Sequence, residues 1–135
     1  MTQNTNLLDF ELQAKPEEVS KLIDKMKHIL ADFNPNIPDL EFRFEVAARE
    51  LLANAIEHGC QSEEDVVAVT LELTPTMVEL TVEDPGSGFA WEEAVLEEMP
   101  VFAEKGRGLA MVYQTADELE FNEQGNIVSC CFFSD

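Results

Sequence analysis

Three short stretches carry residues whose types and spacing could do chemistry. In "ELLANAIEHG", residues 50–59, the polar side chains Glu50, Asn54 and His58 recur every fourth position inside an otherwise apolar run. Positions four apart lie on one face of an α-helix, about 6 Å apart along the axis, so a carboxylate, an amide and an imidazole would line a single edge. That edge is either simply solvated or one wall of a site, and His58 is also well placed as a cation near the helix end before Gly59. In "VELTVEDPGSG", residues 78–88, Val78, Leu80 and Val82 alternate, and Asp84 continues their parity toward the apolar side. A carboxylate aimed there needs a donor, so Asp84 either caps the strand end or awaits a donor from a ligand. The "PGSG" that follows is a turn, or a place where a ligand comes close to the backbone. In "EKGRGLAMV", residues 104–112, two glycines flank Arg107 at the expected start of a helix. Free backbone N–H groups and a helix dipole at such a point favour an anion, and Lys105 and Arg107 are two of only eight basic residues. Phosphate recognition is the chemistry that arrangement suggests, with a plain hinge as the alternative.

The elements that must position these residues can be read from periodicity. Residues 7–14 are expected to form a strand. Pro16 opens a helix carrying Val19, Leu22, Ile23, Met26, Ile29, Leu30 and Phe33 at spacings of three and four. "NPNIPD" at 34–39 breaks it, and a second helix is expected from about Leu40 to His58, stopped by Gly59. The period then changes to two. Strands at 66–73 and 77–84 flank a tight "TPT" connection, residues 85–108 hold no long element beyond a short helix at 91–98, a helix runs from about Gly108 to Ala116, and a hairpin ends the chain. This pattern predicts one domain over residues 1–135, an α+β two-layer sandwich with helices on one face of a mixed, mainly antiparallel sheet.

Composition narrows the function classes. A chain of 135 residues is long enough for one well-buried core. No stretch approaches a membrane span and there is no basic, apolar leader, so a soluble cytoplasmic protein is expected. The net charge of -20 argues against nucleic acid and anionic membranes, and favours basic proteins or ligands that bring their own cation. Cys60, Cys130 and Cys131 offer neither a disulfide framework nor a zinc spacing, and the last two would point to opposite faces of a strand. His28 in "KMKHILADF" is expected to be an ordinary helix residue.

Together, in this order and at these distances, the three stretches resemble the N box and the two glycine boxes of the ATP-binding domain shared by gyrase, heat-shock chaperones, histidine kinases and MutL, the Bergerat fold. The short length and the forms "ANAIEHG", "EDPGSGF" and "GRGLAMV" are most similar to the anti-sigma factor serine/threonine kinases. That resemblance implies ATP and Mg²⁺ as cofactors, Glu50 as the catalytic base toward a substrate serine, and Asn54 as the metal ligand. It implies Asp84 as acceptor from the adenine amino group, with Gly86 and Gly88 beneath the base. Lys105, Gly106, Arg107 and Gly108 would meet the phosphates, Ser129 would offer a strand hydroxyl near adenine, and His58 would be structural. It further implies a STAS-type antagonist protein as substrate, a sigma factor or other effector as second partner, and a homodimer. Ala110 stands where many relatives carry glycine, and the acidic run "WEEAVLEE" lies between Gly88 and Gly106. A non-catalytic, nucleotide-responsive module that holds a partner is the alternative function; a histidine kinase fragment is a further one, disfavoured by the absence of a separate phosphoacceptor domain.

Overall fold

The computed structural model describes residues 5–86, 112 and 114–134. In chain order these form β1 (Asn6–Gln13), α1 (Pro16–Phe33), α2 (Leu40–Gly59), β2 (Val66–Thr74), β3 (Met77–Glu83), β4 (Glu118–Phe121) and β5 (Ile127–Phe133). Val112, Gln114 and Thr115 are helical, within the helix expected to end near Ala116. The short helix expected at 91–98 and the glycine-flanked start near 106–108 lie outside the described residues.

Local chemistry explains the helix ends. Pro16 occupies the first turn of α1, where its missing N–H breaks no helical bond, and Glu17 and Glu18 face the positive end of the dipole. Asn34 closes α1 in the left-handed conformation, φ 52°, with its N–H on the Leu30 carbonyl at 2.8 Å. Asp39 is also left-handed, φ 52°, and its carbonyl accepts the Arg43 N–H at 3.0 Å as α2 begins.

The strands pair in the order β1-β2-β3-β5-β4, and all four pairings are antiparallel. Both helices cover one face. Their apolar stripes, Val19, Ile23, Met26 and Leu30 from α1 with Phe44, Ala48, Leu51 and Leu52 from α2, meet the alternate residues of β2, β3 and β5. Phe44 and Phe132 pack with ring centroids 6.0 Å apart, tying α2 to β5. The architecture is the expected two-layer α+β sandwich. Among the described residues no helix is long and apolar enough to cross a membrane.

Arg43 locks one end of the two layers together. Its Nε donates to the Thr115 carbonyl at 2.8 Å, one terminal nitrogen to the Pro38 carbonyl at 2.9 Å, and the other to Asp117 Oδ2 at 3.1 Å. The guanidinium also lies 5.5 Å from the centre of the Phe132 ring. One side chain thereby joins the start of α2 to the segment that leads into β4.

Candidate functional site

The polar stripe of α2 is half inside the protein. Asn54 is buried, only 5 % exposed, while Glu50 one turn earlier is half-buried and His58 one turn later is at the surface. Leu51, Leu52 and Ala55 pin the helix against the sheet, which fixes where its polar edge must point. Asn54 Nδ2 donates to Glu50 Oε2 at 2.8 Å. A carboxylate accepts only, so this bond sets the orientation of the amide and leaves the Asn54 oxygen without a protein donor among the described residues.

Glu50 is held above the usual carboxylate range. Burial is the main cause and the charge of Glu57 adds to it, while the Asn54 bond and His58 pull the other way. A carboxyl with a raised pKa, hydrogen-bonded yet reachable, is suited to taking a proton from a hydroxyl.

Period two places Asp84 as the alternation predicted. Val78, Leu80 and Val82 are buried on the helix-facing side of β3, and Asp84, just past the strand, is 3 % exposed on that side. Its N–H donates to the Asn126 carbonyl at 2.9 Å, and its Oδ1 accepts the Gly86 N–H at 2.8 Å. Oδ2 has no donor among the described residues. Burial raises the Asp84 pKa, with the nearby Glu83 charge adding and the Gly86 bond opposing. A buried carboxylate with one open oxygen fits a ligand that presents an N–H.

Gly59 brings these two regions together, in a role the sequence did not reveal. The sequence marks it as the stop of α2, and α2 does end with it, but without positive φ, which among the described glycines only Gly125 has. What the position requires is the absence of a side chain. A Cβ built on Gly59 would stand 2.1 Å from Asp84 Cγ, and one on Gly86 would stand 2.8 Å from the Gly59 carbonyl oxygen. The end of α2 therefore packs directly on the Asp84 turn.

Ser129 is not brought to this group. It lies on the sheet face opposite Asp84, 3.2 Å from Thr81 Oγ1, because Val128, Cys130 and Phe132 take the helix-facing positions of β5. Gly88, Lys105, Gly106, Arg107 and Gly108 lie outside the described residues. His28 is an exposed helix residue with Nδ1 2.8 Å from the Asp24 carbonyl, as expected. No group of three His, Cys, Asp or Glu able to hold a metal occurs among the described residues.

Comparison with protein families matches residues 12–132 to the histidine kinase-like ATPase domain. The chain belongs to that family. A search of curated proteins finds no match. Membership makes ATP the nucleotide of this histidine kinase-like ATPase domain, with ATP-using chemistry of the kinase or ATPase kind. The buried geometry is compatible with that ligand: the open Asp84 oxygen could accept from an exocyclic amino group, and the oriented Asn54 oxygen could meet a cation accompanying phosphate. In this ATPase domain Gly59 and Arg43 are the residues that sequence reasoning missed. Gly59 carried only a helix-end signal, and Arg43 carried none, since its three partners come from segments up to 74 positions away.

Proposed function

We propose that this histidine kinase-like ATPase domain is a cytoplasmic serine/threonine protein kinase of the anti-sigma factor type. It phosphorylates a STAS-type antagonist protein from ATP and sequesters a sigma factor or comparable effector, acting as a homodimer. The observation that supports this best is the Glu50–Asn54 pair: a half-buried carboxyl with raised pKa, one turn from a buried amide whose oxygen faces away from it.

The residues divide the work as follows. Asp84 accepts from the adenine amino group through its open oxygen, and the Gly59 and Gly86 backbone hold that carboxylate in place. Asn54 would hold Mg²⁺ through its amide oxygen, the nitrogen being committed to Glu50. Mg²⁺, when bound there, would neutralise phosphate charge. Glu50 takes the proton from the substrate serine hydroxyl as the serine oxygen bonds to the γ-phosphorus, the bond from that phosphorus to the bridging oxygen breaks, and ADP leaves.

The test is transfer of γ-labelled phosphate to a STAS-type antagonist mixed with the full chain. Label on a serine of the antagonist, lost with Glu50→Gln, supports the kinase. ATP binding without transfer to any such protein contradicts it and leaves the ATPase-domain assignment standing.

A further inference from the structure

Carboxylates occur on both layers, but the described basic residues lie only on the helix layer. Of the eight basic residues, the six in the described part are Lys15, Lys21, Lys25 and Lys27 in or just before α1, and Arg43 and Arg49 on α2. Among the described residues the opposite side of the sheet has none. Its strand positions instead carry Asp9 and Glu11 on β1, Glu72 on β2, and Glu79 and Glu83 on β3. Glu118 and Glu120 on β4 extend the same face.

Solubility alone does not need this arrangement. Glu72 and Glu79 are directly opposed across β2 and β3, a like-charge pairing that weakens a sheet, and neither forms an ion pair among the described residues. Cys131 sits in the middle of the face and donates to Glu79 Oε2 at 3.3 Å. Its thiol is pushed up to about 12, by burial first and then by Glu79, Glu118 and Glu120. The strand register gathers these three carboxylates around Cys131.

The same face carries apolar surface. Leu7, Val66 and Phe133 are 63 %, 42 % and 37 % exposed, and they are three of the four large apolar side chains most open to solvent among the described residues. All three point away from the helices. No described element covers them. Between them a row of hydroxyls crosses the sheet, with Thr70 donating to Asp9 at 3.2 Å and Thr81 paired with Ser129.

We propose that this open sheet face docks a basic protein partner, through a segment that presents lysine or arginine beside apolar side chains. Charge complementarity selects that occupant: a second copy would oppose one carboxylate field with another, and nucleic acid or an anionic membrane has the wrong sign. The face is separate from Glu50, Asn54 and Asp84, so docking does not depend on the kinase chemistry.

The probe is a synthetic amphipathic Lys–Leu helix, titrated into the full chain with amide-shift mapping, against a Glu–Leu helix as control. The Lys–Leu helix is expected to shift amides of the five strands, and the Glu–Leu helix to bind nowhere. The double variant Glu72→Lys, Glu118→Lys should weaken binding about tenfold or more, while the charge-matched Glu17→Lys, Asp24→Lys on α1 should change it less than about threefold. Should the sheet variant fail to melt cooperatively, Glu72→Gln, Glu118→Gln should keep the same ranking with a smaller loss. Phe133→Ser should weaken binding in high salt, where charges are screened. ATP titration of the same variants should be unchanged, which separates this idea from the kinase reading. Equal losses for sheet and helix variants, shifts confined to the helices, or self-association through the sheet would each overturn it.

Discussion

Asn54 donates its side-chain amide to Glu50 across 2.8 Å, one turn apart on α2, and the bond constrains both partners. It keeps the Asn54 oxygen directed elsewhere, and it partly offsets the burial that raises the Glu50 pKa. A pair that merely solvated a helix edge would not need a buried amide. Buried amides whose oxygen lacks a partner are costly, and this one makes sense if a cation completes it.

Glu50→Gln preserves the hydrogen-bonding shape and removes the base. Phosphotransfer measured in a single turnover at saturating ATP is expected to fall about 10²–10⁴-fold, with nucleotide affinity nearly unchanged. In the wild type the rate should rise with pH along a limb displaced above the usual carboxylate range, and the limb should vanish in the variant. Equal rates in the two proteins would contradict the assignment.

Asp84→Asn separates stability from binding. Because the folded-state pKa of Asp84 is raised, folding favours its protonated form, so its contribution to stability is full at low pH and is lost as pH rises through the folded value. The variant should therefore melt a few degrees above wild type at pH 7, and the gap should close on acidification. ATP affinity should fall at least about tenfold through loss of the acceptor. A variant less stable than wild type at pH 7 that still bound ATP normally would refute both parts.

Gly59→Ala places a methyl group where Asp84 Cγ lies. The carboxylate must then move, and overpacking of this kind costs about 1–3 kcal/mol. Calorimetry should show weaker ATP binding by about tenfold or more, with the cooperative fold kept. Unchanged affinity would show that the contact between α2 and the Asp84 turn does not position the carboxylate.

Much of the fold was legible because periodicity and stop signals act locally. Pro16, the prolines of 34–39 and the change from period three-to-four to period two gave the element order, and strand parity placed Asp84 correctly. Ser129 failed for an instructive reason. Both faces of "IVSCCFF" are largely apolar, so that strand alone does not show which side meets the helices; the register Val82 to Val128 decides it, and register is a property of two strands. The candidate residues Glu50, Asn54 and Asp84 were visible as a stripe and a parity, but Gly59 was not, because its requirement arises from a side chain 25 positions later. Asn34 and Asp39 take the left-handed backbone without a glycine, as short polar side chains of their kind allow.

Arg43→Ala should cost about 1–3 kcal/mol, because it leaves carbonyls at Pro38 and Thr115 and the Asp117 carboxylate without that donor. Arg43→Lys should recover only a small part, since an ammonium cannot reproduce the fork. Chemical denaturation of the three proteins checks this. Full rescue by lysine would reduce the contact to simple charge.

Calorimetric titration of the folded chain with ATP, in Mg²⁺ and then in EDTA, beside Asn54→Ala, tests the central claim most directly. The account predicts binding in Mg²⁺, a loss of about tenfold or more in EDTA, and an Asn54→Ala protein that binds weakly and no longer responds to the metal. Binding of equal strength with and without Mg²⁺, unaffected by Asn54→Ala, would contradict it.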